Sequence, residues 1–95
     1  MSTRADRITA RLTENFTPAL LLVQDDSARH AGHAGAAPGG QTHYAVLMVA
    51  SAFHGQARVD RSRAVHAALA AEFAGGLHAL SLTLRTPEEH VAAQP

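Results

Sequence analysis

The run His43-Tyr44-Ala45-Val46-Leu47-Met48-Val49-Ala50, then Asp60 to Ala74, Gly75-Gly76 and Leu77 to Arg85, decides the fold. The first segment is rich in strand formers and predicts a strand over 43–50. Asp60 is expected to cap a helix from Arg61 to about Ala74, whose buried stripe is Val65, Leu69 and Phe73. Gly75-Gly76 ends that helix, because a helix C-terminus commonly needs a left-handed residue. The last segment predicts a strand over 77–85, with His78, Leu80, Leu82 and Leu84 on one face and Leu77, Ala79, Ser81 and Thr83 on the other. A helical connection between two strands favours a right-handed crossover with those strands parallel.

Working outward, Ser2 or Thr3 can cap a first helix that carries Ile8, Leu12 and Phe16 on one stripe and ends before Pro18. Ala19 to Gln24 is a short apolar run of strand length, bounded by Pro18 and by Asp25-Asp26-Ser27, and it is expected to pair antiparallel with 43–50. Ser51 to Gln56 reads as a turn with Phe53 anchored in the core. Residues 87–95 are expected as a disordered tail. The fold class is therefore α+β: an α-β-β-α(α)-β two-layer sandwich with a mixed three-stranded sheet and its helices on one face. A single domain occupies 1–86.

Composition narrows the function. The chain has 95 residues, no Cys, no Trp, three Phe, one Tyr and twenty-one Ala, so its core is thin and a large enclosed active site is not expected. Eight Arg and no Lys balance eight acids, so no global field attracts nucleic acid or anionic lipid. Apolar runs fall far short of the ~20 residues of a membrane span, and the polar N-terminus does not read as a signal peptide. All-Arg, Ala-rich usage suggests a bacterial chain in the cytoplasm, with an organelle homologue stripped of its targeting peptide as the other source.

Enzyme signatures are absent: there is no P-loop, G-x-S-x-G, H-E-x-x-H or nucleophilic Cys. A small chain with a thin core is expected to bind something rather than to turn it over. Histidine is the enriched reactive type, with seven present, and neutral imidazole suits Zn, Cu, Fe and Ni. His30 and His33 fall in the Gly-rich stretch from Asp25 to Gln41, and His43 follows it. That stretch exceeds the ~12–15 residues usual for a structureless loop, which marks it as functional or disordered. His78 opens the last strand, where a ligand would be held rigidly while a loop His swings towards it. His54, His66 and His90 are expected to be incidental. Arg58, Arg61 and Arg63 flank the start of the second helix and supply a second reading, contact with DNA phosphates. The intervening Asp60 and the zero net charge weaken it.

These pieces together resemble the BolA-like family from Ile8 to Pro87. The resemblance is carried by Asp25-Asp26-Ser27, His30-Ala31-Gly32-His33-Ala34-Gly35, Gln41-Thr42-His43-Tyr44, Ser51-Ala52-Phe53-His54-Gly55, Asp60-Arg61-Ser62-Arg63-Ala64-Val65, Ala67 to Glu72 and Gly76-Leu77-His78-Ala79-Leu80-Ser81-Leu82. It implies an α-β-β-α-α-β fold similar to a type II KH domain. It also implies partnership with a monothiol CGFS-type glutaredoxin and a shared [2Fe-2S] cluster held by the glutaredoxin Cys, a glutathione thiol and two ligands from this chain. Those ligands would be His78 of the His-Ala-Leu motif and His33 of the loop, with His30 and His43 as substitutes. No cofactor is expected in the isolated chain, which would be a monomer or weak homodimer. The family is also described as DNA-binding regulators of stress response and cell shape, with contacts in the Arg-rich helix region. There the family pattern usually reads Arg-His-Arg, and this chain has Ser62 in the middle place.

Overall fold

A computed structural model of the chain describes residues 3–26 and 42–95. Helix α1 (Arg4–Phe16) starts where Thr3 and Asp6 form a reciprocal capping box, each side chain accepting from the other's backbone N–H. It ends on Thr17, which is in the left-handed region at φ 45°, just before Pro18. Strand β1 (Leu20–Asp25) runs antiparallel to β2 (His43–Val49), with Leu22 opposite Leu47. A 3₁₀ turn (Ser51–Phe53) drops Phe53 into the core. Helices α2 (Arg58–Ala68) and α3 (Ala70–Ala74) then lead to β3 (Ala79–Arg85), which pairs parallel with β2 as expected. The sheet order is β1-β2-β3.

One face of the sheet carries Leu21 and Val23, Tyr44, Val46 and Met48, and Leu80, Leu82 and Leu84 across the three strands. Against it pack Ile8 and Leu12 of α1, Phe53, Val65 of α2 and Leu69. Five of these helix and turn side chains are fully buried, each worth roughly 1.5–3 kcal/mol of transfer free energy. The opposite face bears exposed Leu22, Ala79, Ser81 and Thr83, so the predicted period-2 alternation holds along β3.

Three expectations need correction. First, α2 begins at Arg58 rather than Arg61; its N-cap is Ala57, and Asp60 lies inside the first turn, where its carboxylate is favoured by the helix dipole. Second, the helix predicted to Ala74 breaks at Leu69 (φ −104°, ψ 16°), whose N–H is shared between the Val65 and His66 carbonyls while its side chain is fully buried. The break sets Phe73 off the buried stripe: it is half-buried and stacked on His66 at 5.2 Å. It also brings Glu72 under α1, where hydrogen bonds from Arg7 and then Arg4 hold its carboxyl below the ordinary range. Arg4 further donates to the Gly75 carbonyl at 2.8 Å, beside Gly76 at φ +118°, a conformation that disfavours a side chain.

Third, residues 87–95 are not a disordered tail throughout. Pro87–Ala92 form helix α4, started by a Thr86–Glu89 capping box with Pro87 in its first turn. Glu89 lies in the fork of Arg61, with Nη1 to Oε1 at 2.6 Å and Nη2 to Oε2 at 3.2 Å. Arg61 also donates to the Gln56 and Leu84 carbonyls and lies over the Phe53 ring. One guanidinium thus joins α2, β3, α4 and the chain ahead of α2. The hydrogen bonds from Arg61, then that from the Thr86 backbone, lower the Glu89 carboxyl to about 2.

Because the folded-state value lies below the ordinary ~4.3 of a Glu, the stability Glu89 contributes is fully present above that range. It is lost as pH falls from there through about 2. Denaturant unfolding of wild type and Glu89→Gln should therefore show a constant stability gap above pH ~5 that closes towards pH ~2. A gap independent of pH would contradict the ion pair. Arg61→Ala should cost about 2–3 kcal/mol, since it also strips partners from two carbonyls.

Candidate metal-ligand site

The ends of the three strands bring a small set of imidazoles together. β2 begins at His43, which stands opposite Ala79 in the parallel register, so the residue before Ala79 lies beside it. The Thr42 carbonyl accepts from both His78 N–H (2.8 Å) and Ala79 N–H (3.1 Å), which pins the backbone of His78 to the start of β2. The His43 and His78 ring centroids are 5.6 Å apart, inclined at 38°. His43 is half-buried and His78 exposed. Thr42, itself buried, places its hydroxyl 3.0 Å from His43 Nδ1. In the tautomer where Nδ1–H donates to that hydroxyl, the ring lone pair is on Nε2, an arrangement that suits a metal-binding imidazole.

The double acceptance at Thr42 also corrects the expected setting of His78. The residue precedes β3 rather than opening it and does not share the face of Leu80, Leu82 and Leu84. Two successive amides on one carbonyl insert an extra residue into the pairing, and the alternation resets as it does at a bulge. Leu77 is thereby buried and His78 turned to solvent, the reverse of the strict two-residue period.

His30 and His33 lie outside the described residues. Their flanks do not: Asp26 N–H donates to the His43 carbonyl at 2.8 Å, and Thr42 is the acceptor described above. The segment holding both His therefore leaves and rejoins the chain at the end of the sheet that bears His43 and His78. His33 is seven residues beyond Asp26, a span of at most ~25 Å. Among the described residues no group of three or more His, Cys, Asp or Glu is placed to hold a metal ion alone. What this end offers among the described residues is a pair of imidazoles, His43 half-buried and His78 exposed.

The other three His have local partners. His54 pairs with Glu88 of α4, His66 Nδ1 lies 2.9 Å from the Ser62 carbonyl, and His90 Nδ1 accepts from Arg85 at 3.2 Å. Of the Arg residues expected to meet DNA phosphates, Arg58 and Arg63 are exposed. Arg61 is not available for such a contact: its side chain is 7% exposed and occupied by Glu89 and two carbonyls. The structural role of Arg61 was missed because its partner sits in the segment expected to fray. The Thr86-Pro87-Glu88-Glu89 sequence, a capping box with Pro at N1, was the available signal.

No helix among the described residues is long and apolar enough to cross a membrane. The family model for "BolA-like protein" matches residues 12–89. Human "BolA-like protein 1" is 40% identical over 82 residues, covering 86% of this chain and 57% of that protein. "SufE-like protein 1, chloroplastic/mitochondrial" of Arabidopsis thaliana is 39% identical over 93 residues, covering 94% of this chain and 25% of that protein. The chain thus spans a quarter to somewhat over half the length of these two relatives. Among solved structures, the BolA domain of SufE1 from the same plant superposes with a TM-score of 0.84 at 38% identity, over 94% of this chain and 98% of that one. The family-model match, the relatives and the superposed fold agree: the chain belongs to the BolA-like family.

Proposed function

We propose that the protein is a non-enzymatic partner of a monothiol CGFS-type glutaredoxin that co-ligates a [2Fe-2S] cluster for iron–sulfur cluster trafficking or iron sensing. The observation that carries the reading is the pairing of His43 and His78 at an accessible end of the sheet, with the His30 and His33 segment attached there. The chain has no Cys and seven His, and imidazole nitrogen is a donor that suits iron. Two such donors from this chain leave the remaining positions to the glutaredoxin Cys and the glutathione thiol.

His78 serves as the fixed ligand, because its backbone is held by Thr42 while its ring reaches solvent. His33 is the second ligand, with His30 and His43 as substitutes; among the substitutes, His43 already stands beside His78. When bound, the cluster would supply one-electron chemistry, and His ligands from this chain in place of thiolates would raise its potential relative to all-thiolate ligation.

Mixing the protein with cluster-loaded CGFS glutaredoxin and glutathione should give a 1:1 heterodimer with a new visible and circular dichroism spectrum. His78→Ala should abolish or alter that spectrum, and His33→Ala and His43→Ala should show which second ligand is used. Because His78 is exposed, His78→Ala should shift thermal stability by less than about 0.5 kcal/mol, which separates loss of a ligand from loss of the fold. Absence of any interaction with the glutaredoxin would overturn the reading and direct attention to DNA retention through Arg58 and Arg63.

A second expectation concerns pH. Imidazole binds metal only when neutral and ordinarily takes up a proton near pH ~6.5. The absorbance of the heterocomplex should therefore fade between pH 8 and 5; a spectrum constant over that range would argue against imidazole ligation.

A further inference from the structure

At the other end of the sheet, a cleft of about 320 Å³ runs between the first turns of α2, the outer edge of β3 and α4. Arg58, Arg61, Ser62, Thr83, Arg85 and Glu89 line it. The chain as a whole is neutral, with eight Arg against eight acids, yet three Arg and a single acid meet here. Arg61 and Glu89 neutralise each other in their bidentate pair. Two guanidinium charges remain uncompensated.

Those two are differently placed. Arg85, half-buried on β3, donates one N–H to His90 Nδ1 and has no acid partner among the described residues. Arg58, exposed on α2, makes no hydrogen bond or close ion pair among the described residues, though its charge is felt by the Glu89 carboxyl. Arg58 and Arg85 belong to elements that the Arg61 network ties together, through Glu89 and the Leu84 carbonyl. Their backbones are therefore held in place without a ligand, and Ser62 and Thr83 also line the cleft.

We infer that this cleft is a binding site for a phosphate group, presented as inorganic phosphate or a small phosphomonoester, gripped by Arg58 and Arg85. Two unmatched guanidinium groups suit the charge of about −1.5 to −2 that a phosphomonoester carries at pH 7, whereas a single carboxylate would leave one unmatched. The planar fork of Arg matches two phosphate oxygens at once. The volume lies at the lower end of the range for small-molecule sites, roughly 300–1,000 Å³. The site does not depend on the iron–sulfur reading, since it shares no residue with the His43 and His78 end.

The test is a two-dimensional amide NMR titration with inorganic phosphate, with chloride at matched ionic strength as the blank and glycerol phosphate and a short DNA duplex as further arms. Expected are saturable shifts centred on Ser62, Thr83 and Arg85 for phosphate and glycerol phosphate, and none for chloride. Arg58→Gln and Arg85→Gln should each weaken binding about tenfold. Arg63→Gln, on α2 but outside the cleft, should change it by less than about twofold. The same spectra report whether each variant is folded. Failure to saturate by roughly tens of millimolar, equal shifts with chloride, or insensitivity to both cleft variants would overturn the proposal. Tighter binding of the duplex that also requires Arg63 would replace it with a nucleic-acid contact.

Discussion

Because β2 and β3 run parallel with His43 facing Ala79, the chain leaving Val49 must travel the length of the sheet and start again at the same end. An antiparallel pair can be joined by a two-residue turn, but a parallel one needs a long crossover. Here the 3₁₀ turn, α2 and α3 supply it, and together with α1 they form the layer that covers the sheet's apolar face. The crossover thus has two tasks that agree: it closes the topology and it completes the core. Its return point is fixed by the Thr42 carbonyl, which takes two amides from the incoming chain. That same contact places His78 beside His43, so the candidate site is a consequence of how the parallel pair begins.

The elements that were legible in the sequence are those whose side chains repeat with one period. Ile8 and Leu12, Val65 and Leu69, and Leu80, Leu82 and Leu84 all lie where helix or strand periodicity places them, and all contribute to one core. Thr3 caps α1 as its position suggests. What was not legible is where one residue answers to two demands. Leu69 is a good helix former amid Ala residues, yet it departs from helical geometry as its side chain enters the core and Glu72 meets Arg4 and Arg7. Strict alternation placed His78 with the leucines, but the shared Thr42 carbonyl adds a residue and turns the ring outward. Neither departure has a local sequence signature, because both are set by residues distant in the chain.

Arg61 shows the same limit from the side of charge. In the linear sequence Arg58, Arg61 and Arg63 look like one basic group. In the fold they separate by environment: Arg63 is exposed and 3.7 Å from Asp60, Arg61 is buried on Glu89, and Arg58 faces the cleft. A guanidinium can be buried in this way because four of its five donors are met by a carboxylate and two carbonyls, with an aromatic ring beneath. Removing α4 would leave that charge buried without its counter-ion, so the C-terminal helix is part of the domain rather than an appendage.

The strand directions also separate the two proposed sites. Ala79 and Arg85 are six residues apart along β3, about 20 Å. Imidazoles cluster near the first, and the uncompensated guanidinium groups near the second. This spacing exceeds the ~8 Å over which charges act through physiological salt, so an anion at the Arg end and a metal at the His end would feel each other only weakly through solvent. Any coupling between them would have to pass through β3 itself. That strand is paired along its length with β2, an arrangement that favours two ends acting as independent sites on one sheet.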